Sequence, residues 1–232
     1  NAPHGPMHSP EASSRPYQHL GTNVANFYGM IANIDDNVGR MRTYLQENNL
    51  EQNTIFIFTT DNGTSSGDKI FNNGMRGKKG SEYDGGHRVP FFIHWPGGGL
   101  TGGKDVSMIT SYVDIVPTLL DLCGVEAPRT VKFDGVSLRS LLFNEKVDSW
   151  PDRMLVTDSQ RVRDPIKWRK SSVMTDQYRL INGKELFDID ADKGQERDIA
   201  TKHPEVVKRL RGFYDEWWAE LEPTFSQTTE IY

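Results

Sequence analysis

Asp61 and Asn62, followed by Gly63, stand directly after the apolar run TIFIFTT at 54–60. A carboxylate and a side-chain amide are hard oxygen donors of the kind that Ca2+ or Mg2+ takes, and no thiol stands near them. Downstream, Lys78 and Lys79 lie between glycines in RGKKGSEYDGG. An ammonium there is a compact point charge that can meet an anionic oxygen held by the same cation. His4, in NAPHGP, carries an imidazole, the side chain whose protonation ordinarily changes near neutral pH, and could give a proton to a leaving oxygen. Plainer roles exist for each. Asp-Asn-Gly reverses a chain, lysines between glycines solvate a loop, and a histidine among prolines needs no function. Two donors also fall short of the roughly six to eight oxygens that Ca2+ takes, so the others would have to come from substrate or from other chain.

The elements expected to position these residues alternate in type. TIFIFTT, rich in β-branched and aromatic residues without polar alternation, predicts a strand buried on both faces of a parallel sheet. In such sheets ligands bind beyond the carboxyl ends of the strands, which is where Asp61 and Asn62 stand. Val24, Phe27, Ile31, Ile34, Val38, Met41 and Leu45 recur at spacings of three and four, predicting an amphipathic helix over 21–49. A second apolar run, VPFFIHW, stops at Pro96-Gly97-Gly98-Gly99, and a helix over 115–123 is expected to end at Gly124. Residues 1–20, with four prolines, three histidines and no periodicity, predict an extended arm.

After Asn144 the segments become shorter and more polar. Asn182-Gly183 between RLI and ELF predicts a β-hairpin. A final helix after Pro204 carries Val207, Leu210, Phe213, Tyr214, Trp217 and Leu221 as a packing stripe. The expected fold is therefore α/β: a core over 1–144 with flanking helices, and a small C-terminal α+β subdomain with antiparallel strands over 145–232.

Composition narrows the partners. The 232 residues hold 27 basic and 32 acidic side chains, a net charge of −5, which gives no electrostatic reason to expect nucleic acid or an anionic membrane. No apolar run approaches the roughly 20 residues that span a bilayer. Cys123, the one cysteine, excludes an internal disulfide and any multi-cysteine zinc site. Within LLDLCG it is expected to be a small core residue.

Taken together, NAPHGP, FTTDNG, MRGKKGSEYDGGHRVPFFIHWPG, DIVPTLLDLCG and ELFDIDADKGQERDIA resemble the successive landmarks of type I sulfatases, in that family's order. The resemblance implies an alkaline-phosphatase-like α/β core and hydrolysis of aryl or carbohydrate sulfate monoesters at a single divalent metal, usually Ca2+. It assigns Asp61 and Asn62 to a pair of metal ligands, Lys79 to the sulfate and the leaving oxygen, and His4 to the sulfate and a general-acid role. Arg88 is expected to organise the loop and His87 to approach the site, while Lys78 has no counterpart. The family's nucleophile is a formylglycine made from C/S-x-P-x-R, preceded by a first pair of aspartates, and neither motif occurs here. Cys123 is followed by Gly124-Val125-Glu126. The likeness is thus to the carboxyl-terminal portion of a sulfatase, inactive by itself, whose formylglycine lies elsewhere. Apolar surface left open by such a portion is expected to favour self-association. A periplasmic or secreted location is expected from the family. Two rival readings are a phosphoesterase of the same superfamily, whose two-metal sites place a histidine where Asn62 stands, and a domain that binds sulfated glycans without cleaving them.

Overall fold

The computed structural model describes residues 2–144 and 150–225. The chain forms two compact units, Asn1–Thr101 with Lys193–Glu196, and Gly102–Asp192 with Arg197–Tyr232. Sequence texture suggests a division after Asn144, whereas the contacts divide at Thr101. The reason is local to the second unit, where Asp114 is held by Arg153 and by the backbone at Val136. The segment from Gly102 to Asn144 therefore packs with the carboxyl-terminal part of the chain. No helix among the described residues is long and apolar enough to cross a membrane.

In the first unit the amino-terminal segment is not an extended arm. It forms α1 (Glu11–Ser14), then a 3-10 turn over Arg15–Leu20, and only then the long helix α2 (Thr22–Glu47). Proline is what allows this, since Pro16 stands at the start of the 3-10 turn, where no backbone N–H is needed. α1 crosses α2 at Gly29, where a Cβ would lie 2.5 Å from Ser9 Oγ and 2.9 Å from the Ser14 Cα. That crossing selects the buried side of the helix: Ala25, Phe27 and Met30 face inward, while Ile31 and Met41 of the predicted stripe are 39% and 53% exposed. α2 closes at Asn48, with Asn49 in the left-handed region at φ 58°.

The apolar run does form a strand, β1 (Phe56–Thr59), but its partner corrects the expected sheet. After the one-turn helix α3 (Asp84–His87), β2 (Phe91–His94) returns antiparallel to β1 in the register Phe56↔His94 to Thr59↔Phe91. A parallel neighbour needs a crossover element, and the loop between these strands holds only one helical turn, so the chain reverses. Both strands are mostly half-buried, not buried on both faces.

The second unit begins with α4 (Ile115–Leu122) and α5 (Arg139–Phe143). Asp114, which precedes α4, and Thr118 and Leu122 within it, four apart, are buried. Cys123 is exposed, not a core residue, because it lies a heptad after the exposed Val116 on the outward side. β3 (Leu155–Asp158), β4 (Ser171–Met174), β5 (Tyr178–Ile181) and β6 (Glu185–Asp188) form one antiparallel sheet in that order. The predicted hairpin is present. Asn182 and Gly183 both take positive φ, and a Cβ on Gly183 would lie 2.7 Å from the Trp168 ring.

One face of this sheet carries Val173, Leu180 and Leu186 in adjacent register. Against it packs α6 (Pro204–Phe225) through Leu210, Tyr214 and Trp218. Burying six side chains of this size supplies the apolar stabilisation of the unit, at roughly 1.5–3 kcal/mol for each Val, Leu or Phe-sized group. Within it, Tyr214 stacks on Trp168 at a centroid distance of 3.8 Å and donates its hydroxyl to Asp158 Oδ2 at 3.2 Å. Burial, with the Asp158 carboxylate adding to it, pushes the phenol up to about 12 from 10.0. The unfolded chain therefore loses this proton first. Stability from Tyr214 is fully present below pH 10 and declines as the pH rises toward 12. Urea midpoints at about pH 8 and about pH 11, on either side of the unfolded phenol's titration, are expected to differ more for the wild type than for Tyr214→Phe, and equal slopes would remove Tyr214 from the effect.

Candidate functional site

β1 ends at Thr59, and Asp61 and Asn62 follow it as the first residues of a loop that fills the space up to β2. This loop is glycine-rich but not slack. The Gly63 N–H donates to the Gly86 carbonyl at 2.9 Å, and a Cβ on Gly63 would lie 1.9 Å from the Gly85 oxygen. On the other side, a Cβ on Gly86 would lie 2.0 Å from the Ser81 oxygen. Glycine is required here for close approach of backbones, since two peptide groups occupy the space a side chain would take. Asn72 Nδ2 donates to the carbonyls of Met75 and Gly77 at 2.7 and 2.8 Å, closing the turn that precedes the lysines.

Lys78 and Lys79 sit between Gly77 and Gly80, both at positive φ. The Lys79 N–H donates to the Thr64 carbonyl at 2.9 Å, which brings that lysine beside the Asn62-Gly63-Thr64 turn. The two ammonium groups then part company. Lys78 Nζ lies 3.6 Å from Asp68 Oδ1, whereas no carboxylate among the described residues pairs with Lys79. Arg88 leaves the end of α3 and pairs with the buried Asp84 at 3.5 Å, half of its own side chain remaining exposed.

His4, Asp61, Asn62, Lys79 and Arg88 all line one cleft of about 1500 Å³ within the first unit. Phe27, Tyr28, Phe58 and Phe71 supply its apolar wall. His4 is exposed, its Nδ1 2.9 Å from the Gly5 carbonyl. Asn1 of the same motif lies outside the described residues. His87 does not line the cleft. It is half-buried with Nε2 3.2 Å from the Glu82 carbonyl.

Asp61 and Asn62 suit a hard cation by donor type, and both open onto the cleft. Their number does not complete a shell. No group of three or more His, Cys, Asp or Glu side chains able to hold a metal occurs among the described residues. What the cleft can do chemically is hold an anion against Lys79 and Arg88, offer two oxygens to a cation and present an imidazole.

Sequence patterns miss two contributors. Tyr28 lies off the predicted stripe of α2, yet it lines the cleft, its ring centroid 5.5 Å from that of Tyr17 in a tilted pair. Gln195 packs against the lysine loop from far along the chain, accepting the Asp84 N–H at 2.8 Å. No local signal marks Gln195, because its partners are more than a hundred residues away.

A family model described as Sulfatase matches residues 1–125, and one described as N-sulphoglucosamine sulphohydrolase, C-terminal, matches residues 78–214. The chain is 26% identical to "Uncharacterized sulfatase YdeN" of Escherichia coli (strain K12) over 267 aligned positions, covering 99% of this chain and 47% of that protein. It is 41% identical over 130 residues to an arylsulfatase of Clostridium perfringens (strain 13 / Type A), covering 55% of this chain and 25% of that one. The solved structure of Ps i-CgsB in complex with k-i-k-neocarrahexaose superposes with a TM-score of 0.81 at 24% identity, over 94% of this chain and 48% of that chain. At that identity the likeness shows the fold, an alkaline-phosphatase-like α/β arrangement. The chain thus spans about half the length, or less, of the relatives it matches.

Proposed function

This chain belongs to the sulfatase family, and from that membership we propose that its cleft is one part of an active site that hydrolyses aryl or carbohydrate sulfate monoesters. The observation that supports this is the convergence of His4, Asp61, Asn62, Lys79 and Arg88, from separate stretches of sequence, on one cleft. Lys79 and Arg88 hold the sulfate by charge, and the ammonium of Lys79 faces negative charge that grows as the ester bond lengthens. His4 gives a proton to the ester oxygen as the S–O bond breaks, so that the alcohol departs neutral. Asp61 and Asn62 would hold Ca2+ or Mg2+, which supplies neutralisation of the sulfate oxygens. A formylglycine from outside these 232 residues would supply the attacking oxygen, along with further donors for the cation. Water balances the reaction, giving alcohol and sulfate.

Nitrophenyl sulfate and nitrophenyl phosphate, offered to the complete protein and to the isolated 232-residue chain, test the proposal. Hydrolysis of the sulfate by the complete protein alone is expected. Preference for the phosphate would indicate a phosphoesterase instead. An inert complete protein, with metal-independent binding of sulfated sugar by the isolated chain, would indicate a glycan-binding module.

A further inference from the structure

Gln195 is fully buried, at φ 51°, in the short return of chain Lys193–Glu196 to the first unit. Its Oε1 accepts the Asp84 N–H at 2.8 Å, and its backbone carbonyl accepts Arg76 Nη1 at 2.9 Å. Its Nε2 is buried with no hydrogen-bond partner among the described residues. The side chain therefore works through one atom, its acceptor, and the Asp84 N–H dictates which way the amide points.

Those two bonds grip the lysine loop at both ends, Arg76 before Lys79 and Asp84 after it. Between them backbone bonds tie the loop to the turn after β1. The Arg76 carbonyl accepts the Gly85 N–H at 2.8 Å, the Gly86 carbonyl accepts the Gly63 N–H at 2.9 Å, and the Thr64 carbonyl accepts the Lys79 N–H at 2.9 Å. The Gly63–Gly85 approach leaves no room for a methyl group, so a shift of α3 must move the turn that carries Asn62. Asp84 in turn carries Arg88 on its carboxylate.

We propose that Gln195 is a positioning residue for the anion and cation groups of the cleft: through the Asp84 N–H it holds Asn62, Lys79 and Arg88 at fixed separations without touching substrate. The inference rests on the proposed function for its catalytic consequence, but the mechanical part stands on hydrogen bonds alone.

Gln195→Met keeps the volume and removes the acceptor, while Gln195→Glu, compared with the wild type at about pH 5 where burial keeps its carboxyl protonated, keeps an acceptor oxygen without adding a charge. Amide hydrogen exchange and kcat and KM for nitrophenyl sulfate are measured in the complete protein. Gln195→Met is expected to raise exchange at least about tenfold at Asp84, Gly63 and Lys79, to leave Val173 and Leu180 unchanged, and to lower kcat roughly 10²-fold, the scale of a displacement near 1 Å. Gln195→Glu is expected to restore both. Unchanged exchange at Gly63 and Lys79 in Gln195→Met overturns the proposal, and so does a rise spread evenly along α2, which would mark ordinary destabilisation. Should Gln195→Met fail to fold, Gln195→Glu decides, since raised exchange at the three amides despite a retained acceptor overturns it. If the wild type proves inert toward sulfate esters, the functional reading fails by itself, and the exchange pattern still decides whether Gln195 orders the loop.

Discussion

Lys79→Met is expected to lower kcat for an aryl sulfate by about 10²–10³-fold, the loss expected on removing one preorganised group from a developing negative charge. The two adjacent lysines make the test internally controlled. Lys78 is engaged with Asp68 at 3.6 Å and does not line the cleft, whereas Lys79 lines it and has no carboxylate partner among the described residues. Methionine retains most of the aliphatic stem, so packing of the half-buried side chain is kept while the charge is lost. Lys78→Met, altering only an exposed ion pair, should change kcat by less than about twofold, since such pairs are worth at most about 1 kcal/mol. The measurement is nitrophenyl sulfate turnover by the complete protein, with circular dichroism to confirm the fold. Equal losses from the two variants, or near wild-type turnover in Lys79→Met, would remove Lys79 from the mechanism. Arg88 should matter less in kcat than Lys79, because part of its charge is already opposed by Asp84.

The second large effect is on stability and lies in the other unit. Arg153→Met is expected to destabilise it by about 3–5 kcal/mol, the usual consequence of leaving a buried charge without its partner. Asp114 is 0% exposed, and Arg153 meets it with both Nη atoms, at 2.9 Å to Oδ2 and 2.7 Å to Oδ1. The same carboxylate accepts the N–H groups of Ser111 and Val136 at 2.8 and 2.9 Å. Removing the guanidinium leaves those backbone donors in place but leaves the charge without its cation. The double variant Arg153→Met/Asp114→Asn should recover a good part of the loss, since it removes the charge as well, and the coupling in a double-mutant cycle should exceed about 1 kcal/mol. Urea unfolding of the four proteins provides the measurement. A loss below about 1 kcal/mol in Arg153→Met would show that solvent reaches Asp114 on removal of the arginine.

Local structure was written plainly in the chain. The long helix is legible from its three-and-four spacing, the hairpin from Asn182-Gly183, and the last helix from Pro204 and its stripe, because each depends on residues within a few positions of one another. The chemical character of Asp61, Asn62 and Lys79 is legible as well, since donor type and charge belong to the residues themselves. What α2 buries is less so. Its stripe predicts the side carrying Ile31 and Met41, but the crossing of α1 at Gly29 decides which turns are covered. The heptad relation of Cys123 to Val116 likewise has a meaning only once the inward face of α4 is known.

Strand direction and the assembly of the cleft depend on the path of the chain between elements. β1 and β2 pair antiparallel because the intervening loop folds back on itself through Gly63, Gly85 and Gly86, a fact of three-dimensional approach with no periodic trace in the sequence. The family landmarks carry the residue types of the candidate site, and their order is visible by inspection. That His4 and Arg88 share a cleft with Lys79 while His87 meets the Glu82 carbonyl is visible only in the folded chain. By itself the sequence determined the kinds of group available and the local elements that carry them. Tertiary structure alone decided which groups meet and what holds them, because a hydrogen bond such as that from Asp84 to Gln195 joins residues 111 positions apart and leaves no pattern near either one.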